Sequence, residues 1–224
     1  MTGKENRPAA APEAPAAMIV HDVGSLFPGT SDETGMGPGD AGIIFDEDSA
    51  LVALAKGGDR PAFSRLVERH HRRIFGTIYR MLGDCEAAAD LTQDTFFAAW
   101  RALGGFEERA RFSTWITKIA VNRCRNAFRA SAVARTVPLL VDPPAEPARG
   151  PESITGNREL AAHLERALGQ IDPGHREILV LRELDGLSYD AISEILGLEA
   201  GTVKSRLHRA RAALREKLRG VWPP

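Results

Sequence analysis

The chain has 224 residues, 43% of them hydrophobic and 26% charged, with two cysteines and a formal net charge of -1. This length and balance fit one or two small globular domains. No run of about eighteen apolar residues occurs, so a membrane span is not expected, and Lys4 and Arg7 lead into Ala and Pro where a secretory signal needs an apolar stretch.

A cytoplasmic location is therefore the default expectation. Cys85 and Cys124 form no CxxC pair and stand near no histidine at ligand spacing, so neither a metal nor a cofactor is expected. Net charge conceals an asymmetry. The first fifty residues carry nine acids (Glu5, Glu13, Asp22, Asp32, Glu33, Asp40, Asp46, Glu47 and Asp48) against Lys4 and Arg7, leaving 27 bases and 21 acids in the remainder. An acidic tail on a basic body points to a polyanionic partner.

Residues 1–47 are rich in Ala, Pro, Gly and acids and show no sustained apolar period, which predicts a disordered acidic extension, with Ile43, Ile44 and Phe45 as a candidate docking segment. From Ser49 the pattern turns helical. Phe63, Leu66, Val67, His70, Ile74, Ile78 and Met81 form one stripe of a long helix. Gly83 stops it and Asp84 caps the next, over 85–102, whose predicted inner face is Leu91, Thr95, Ala98 and Ala102. Gly104 and Gly105 break that helix. A third is expected to be capped by Ser113 and to run through Trp115, Ile116, Ile119, Ala120 and Cys124 to Phe128.

Five prolines between 131 and 157 forbid a continuous helix and predict a flexible linker. Beyond it, helices are expected over 158–168, from Pro173 to Leu184, from a Ser188 cap to Leu196, and from Ala200 to Arg219, with a tight turn at Gly197. The fold class is therefore all-α. Two small helical domains, 48–130 and 158–220, are joined by the Pro-rich linker 131–157 behind the extension 1–47.

The segment 187–211 reads as a helix-turn-helix. Ala191 is small enough for a close helix crossing, and the second helix turns Val203, Leu207, Ala210 and Leu214 inward. Its outer face carries Thr202, Lys204, Ser205, Arg206, His208, Arg209 and Arg211. Arg and Lys bond guanine O6 and N7, and Ser and Thr bond bases or phosphates, which is the chemistry of major-groove readout.

The run Gly201-Thr-Val-Lys-Ser-Arg-Leu-His-Arg-Ala-Arg211 resembles the DNA-reading helix of extracytoplasmic-function sigma factors, within the sigma-70 superfamily. Asp90-Leu-Thr-Gln-Asp-Thr-Phe-Phe-Ala-Ala-Trp-Arg101 resembles their polymerase-binding helix, and Phe112-Ser-Thr-Trp-Ile-Thr-Lys-Ile-Ala-Val-Asn-Arg123 their promoter-opening segment, in family order. The resemblance implies that Asp90, Gln93, Asp94 and Arg101 dock on the clamp helices of the polymerase's largest subunit, with Phe96, Phe97 and Trp100 divided between core and interface. It implies that the −10 element is opened by the loop bearing Phe106, Arg109 and Arg111 and the helix bearing Asn122, Arg123, Arg125, Asn126 and Arg129. There Asn122 is the expected base contact and the arginines hold backbone, while Trp115 is expected to pack in the core. The second domain would read the −35 element and meet the polymerase β-flap. Glu199 departs from the Ser or Pro common there and would repel a close phosphate. The implied partners are core RNA polymerase, promoter DNA and a cognate anti-sigma factor that clamps the two domains, without membrane insertion.

Two rival readings remain open: a free-standing helix-turn-helix regulator, which leaves 90–129 without a task, and a decoy that never touches DNA. No Ser/His/Asp, Cys/His, paired-carboxylate or phosphate-loop constellation stands out, so catalysis is not expected.

Overall fold

A computed structural model of the protein describes residues 48–136 and 155–219, and every regular element among them is helical. The acidic extension and most of the proline-rich segment lie outside the described residues. The first domain comprises α1 (Ser49–Lys56), α2 (Arg60–Leu82), α3 (Cys85–Ala102), a 3-10 turn at Leu103–Gly105, and α4 (Phe112–Thr136). The second comprises α5 (Thr155–Gly169), α6 (Pro173–Leu179) continued by a π-helical turn at Val180–Leu184, α7 (Tyr189–Leu196) and α8 (Ala200–Leu218).

Local chemistry sets most boundaries. Asp59 caps α2 by accepting from the Ala62 amide at 3.0 Å, with Pro61 in the first turn, and Asp84 does the same for Ala87 at 3.0 Å. Between them Gly83 takes a φ of 76°, the left-handed conformation that glycine adopts without a Cβ penalty. In the second domain Asp172 accepts from Gly174 and His175 at the start of α6, and Ser188 accepts from Ala191 at the start of α7. Gly197, at φ 66°, supplies the turn into α8, which buries Val203, Leu207, Ala210, Leu214 and Leu218.

Two expectations shift. The third helix begins at Phe112, not at a Ser113 cap: the Arg111 carbonyl accepts the amides of Thr114 and Trp115 at 3.0 and 3.1 Å, and Phe112 turns into the core. The inner face of α3 is Ala88, Thr92, Thr95, Phe96 and Ala99, and Ala102 is exposed. Thr92 and Thr95 lie inside because each hydroxyl donates to the carbonyl four residues back, at 2.7 Å, and so buries no unsatisfied polar group.

The C-terminal half of α2 is buried over all of 74–78, more than one stripe requires. The second domain covers its other side. Asp185 accepts from Thr77 at 2.7 Å and pairs with Arg80 at 3.3 Å, while Arg176 donates to the Met81 carbonyl at 2.7 Å. Helix α7 packs against α4.

Asp48 anchors the start of α1. Its carboxylate lies 3.0 Å from the Arg69 guanidinium and 2.7 Å from His70 Nε2. Burial alone would raise its pKa, but the bonds and charges of His70 and Arg69 outweigh burial and hold it below the ordinary value. A depressed carboxylate contributes stability that is present above its unfolded pKa and is lost as pH falls through the folded one. Melts between pH 5 and 2 are therefore expected to show a steeper acid-side loss for wild type than for Asp48→Asn, which is less stable at neutral pH.

Candidate polymerase and nucleic-acid surfaces

Helix α3 divides its aromatic residues by phase. Phe96 is 6% exposed in the core, and Trp100 lies half-buried, its ring 4.9 Å from Phe63. Phe97, one position on, is 61% exposed. Asp90, Gln93, Asp94 and Arg101 are all exposed as well. The spacing of these five residues places them on one stripe, three or four residues apart. The Arg101 guanidinium sits 5.8 Å from the centre of the Phe97 ring. An exposed aromatic ring inside a charged patch combines an apolar anchor with polar complementarity, a pattern suited to docking on another protein.

The loop after α3 is organised from α1. Lys56 Nζ donates to the Phe106 carbonyl at 2.7 Å and to Glu108 Oε1 at 3.0 Å, and Glu108 adopts a φ of 57°. An open cavity of about 400 Å³ lies here, lined by Ser49, Val52, Phe106, Glu108, Arg109, Ala110 and Arg111. Phe106, expected as a loop residue meeting DNA, is only 5% exposed. Its ring stacks on Trp115 at 4.8 Å and meets Phe112 edge-on at 6.2 Å, so it packs the core and offers the cavity only a wall. Trp115 is half-buried in the same cluster. Arg109 is exposed and pairs with Glu107 at 2.8 Å, a contact of little energetic weight at the surface.

On α4, Asn122, Asn126 and Arg129 are exposed and spaced four and three residues apart, which presents them on one face. The two other arginines already have partners. Arg123 reaches across to Asp94 on α3 at 3.4 Å, and Arg125 makes a two-pronged contact with Glu177 of the second domain at 2.7 and 2.9 Å. The structure thus gathers Asn122, Asn126 and Arg129 and sets Arg123 apart from them.

On α8, Lys204, Ser205, His208 and Arg209 are exposed, while Thr202 and Arg206 flank them half-buried. Ser205 donates to the Thr202 carbonyl at 3.1 Å and Arg209 to the Ser205 carbonyl at 3.4 Å, so both lie along the helix surface. Glu199 makes no side-chain cap. Arg211 departs from the expected outer face: its guanidinium bonds Glu183 at 2.8–2.9 Å and braces α8 against the π-helical turn. Its position, two residues after Arg209, rotates it about 200° around the helix.

Sequence reasoning missed the residues between the domains. Arg73, Arg80, Glu165, Arg176, Glu177 and Asp185 carry no local motif, and partners 52 to 108 residues apart leave no periodic trace.

Comparison with known proteins agrees with this layout. Residues 66–133 match Sigma-70 region 2, and residues 162–214 match Sigma-70, region 4. The chain is similar to the RNA polymerase sigma-H factor of Pseudomonas aeruginosa, 34% identical over 186 residues that cover 77% of this chain and 94% of that protein. It is similar to the ECF RNA polymerase sigma factor SigW of Bacillus subtilis, 33% identical over 180 residues, covering 76% and 96%. Among solved structures it resembles CnrH, determined in complex with the cytosolic domain of CnrY, at 30% identity with a TM-score of 0.59, covering 76% of this chain and 96% of that one. With both regions in order and relatives matched over nearly their whole length, the chain belongs to the sigma-70 family as an extracytoplasmic-function sigma factor, which binds core RNA polymerase and directs promoter-specific transcription initiation through the −10 and −35 elements.

Proposed function

We propose the following division of labour among the residues. The domain over 48–130 meets the clamp helices of the polymerase's largest subunit through Asp90, Gln93, Asp94, Phe97 and Arg101. It opens the −10 element with the loop bearing Arg109 and Arg111 and the α4 face of Asn122, Asn126 and Arg129, with Arg123 and Arg125 as further backbone contacts. A base extruded from the stack costs a few kcal/mol, returned by stacking and hydrogen bonds in a pocket, and the cavity beside Phe106 is such a pocket. The domain over 158–220 reads the −35 element through Lys204, Ser205, His208 and Arg209, with Thr202 and Arg206 on the flanking phosphates. The linker 131–157 joins them.

The observation that carries this reading is the exposed basic and polar face of α8, set by the Ser188-capped helix and the Gly197 turn before it. On this reading the chain works in the cytoplasm with the polymerase and catalyses no reaction itself. A cognate anti-sigma factor is its regulator, as CnrH is found with the cytosolic domain of CnrY. Among the described residues no helix is long and apolar enough to cross a membrane.

Run-off transcription with bacterial core polymerase on a promoter library is the test. Arg209→Ala is expected to weaken the −35-dependent transcripts about tenfold, in line with about 1–3 kcal/mol for a base-reading arginine. Transcripts indifferent to this substitution would remove Arg209 from the −35 contact, and no binding to core at all would overturn the docking assignment.

A further inference from the structure

The two domains meet through opposite charges. Domain 2 supplies cations, Arg73 and Arg80 on α2 and Arg125 on α4, and domain 4 supplies carboxylates, Glu177 on α6 and Asp185 beyond the π-helical turn. Glu177 takes both prongs of the Arg125 guanidinium at 2.7 and 2.9 Å, the geometry in which arginine also grips a phosphate. Asp185 has a side chain only 2% exposed, with Thr77 and Arg80 bonded to it and the Arg73 charge acting on it. Arg73 Nη2 is itself buried without a hydrogen-bond partner, so the cationic face holds more donor capacity than the carboxylates use. Arg176 closes the seam by donating to the carbonyls of Met81 and Gly169 at 2.7 and 2.8 Å.

We propose that this packing is an intramolecular competitor of promoter DNA: the carboxylates of domain 4 occupy, in the closed chain, a phosphate-binding face of domain 2 built from Arg73, Arg80 and Arg125. The inference rests on the −10 role given to Arg125 above and extends it to two arginines of α2. Geometry requires the closed form to open. The −10 and −35 elements lie about 25 base pairs apart, about 85 Å of duplex at 3.4 Å per step, whereas here the domains that read them touch. The 18 residues between α4 and α5 reach at most about 60 Å when extended, so opening is within the tether's range once the span of each domain is added. The competition follows the population rule: a chain closed nine times in ten binds DNA about tenfold more weakly than its open form.

The experiment uses the full chain. Cys85 is exposed and accepts a donor dye, while Cys124 is buried with its thiol pushed up to about 12, by burial first and the nearby Glu177 charge second, and stays unlabelled. The acceptor goes on Glu216→Cys, on the exposed side of α8. Glu177→Arg sets like charges against each other and is expected to lower energy transfer and to raise the affinity for a labelled single-stranded −10 oligonucleotide about tenfold. The swap Glu177→Arg with Arg125→Glu is expected to restore transfer without restoring DNA affinity, which also shows that the reversed charge left the fold intact. Unchanged transfer in Glu177→Arg overturns the proposal. Arg125→Ala and Arg73→Ala, each made in the opened chain, separate the two readings. An oligonucleotide that binds no tighter after opening, yet loses affinity with Arg125→Ala, overturns the competition and leaves the DNA role of Arg125 standing. Indifference to Arg125→Ala refutes that role and the competition with it, and indifference to Arg73→Ala alone overturns the extension to α2.

Discussion

Phe112→Ala is expected to destabilise domain 2 by about 3–5 kcal/mol, the range for truncating a buried phenylalanine. The residue is 1% exposed and holds together an aromatic cluster, with ring centres 5.3 Å from His70, 6.2 Å from Phe106 and 5.7 Å from Trp115. Small domains have total stabilities of about 5–15 kcal/mol, so a loss of this size removes a large part of the margin. At about 4–8 °C per kcal/mol for a domain of this size, the melting transition of domain 2 should fall by at least about 12 °C. Calorimetry checks this, with Phe112→Leu as the control, expected to cost far less because volume is nearly kept. The damage should extend to function, since Phe112 backs the Phe106 ring that walls the cavity beside the −10 loop. A Phe112→Ala protein that melts like wild type would mean that the cluster does not hold the domain.

Phe97→Ala is expected to do the reverse. With its ring 61% exposed, truncation removes little buried surface, and the change in stability should stay within about 0.5 kcal/mol. If the α3 stripe is the polymerase-docking surface, Phe97 is its apolar anchor among Asp90, Gln93, Asp94 and Arg101. Anchors of that kind cost about 2 kcal/mol or more when truncated, or about thirtyfold in affinity. Competition for core polymerase against an unmodified sigma factor reads this directly. Wild-type competition by Phe97→Ala would move the docking surface elsewhere. Phe96→Ala, one residue away, should instead cost stability, because that ring is in the core.

These neighbouring phenylalanines mark the boundary between local and tertiary information. The helices, their caps and their glycine stops were legible from the residues, since an N-cap such as Asp59, Asp84 or Ser188 bonds only two or three residues ahead. The three sigma-like segments were equally legible, because each is contiguous. The inner face of α3 was not. Period alone favoured Leu91 and Ala102, whereas the packing chose Thr92 and Thr95, whose hydroxyls satisfy themselves on the helix backbone. The direction of Phe106 was also hidden, since a residue in a glycine-flanked loop carries no periodicity, and its burial depends on Trp115 and Phe112 meeting it from α4.

By itself, the sequence determined an all-helical chain with a helix-turn-helix, a basic α8 face and a family identity, because those rest on spacings shorter than one helix. Tertiary structure decided which arginines are already engaged. Arg211 is tied to Glu183 across 28 residues, Arg123 to Asp94 across 29, and Arg125 to Glu177 across 52. An ion pair is a match between surfaces, and no residue's own neighbours in the chain record the partner that folding brings to it.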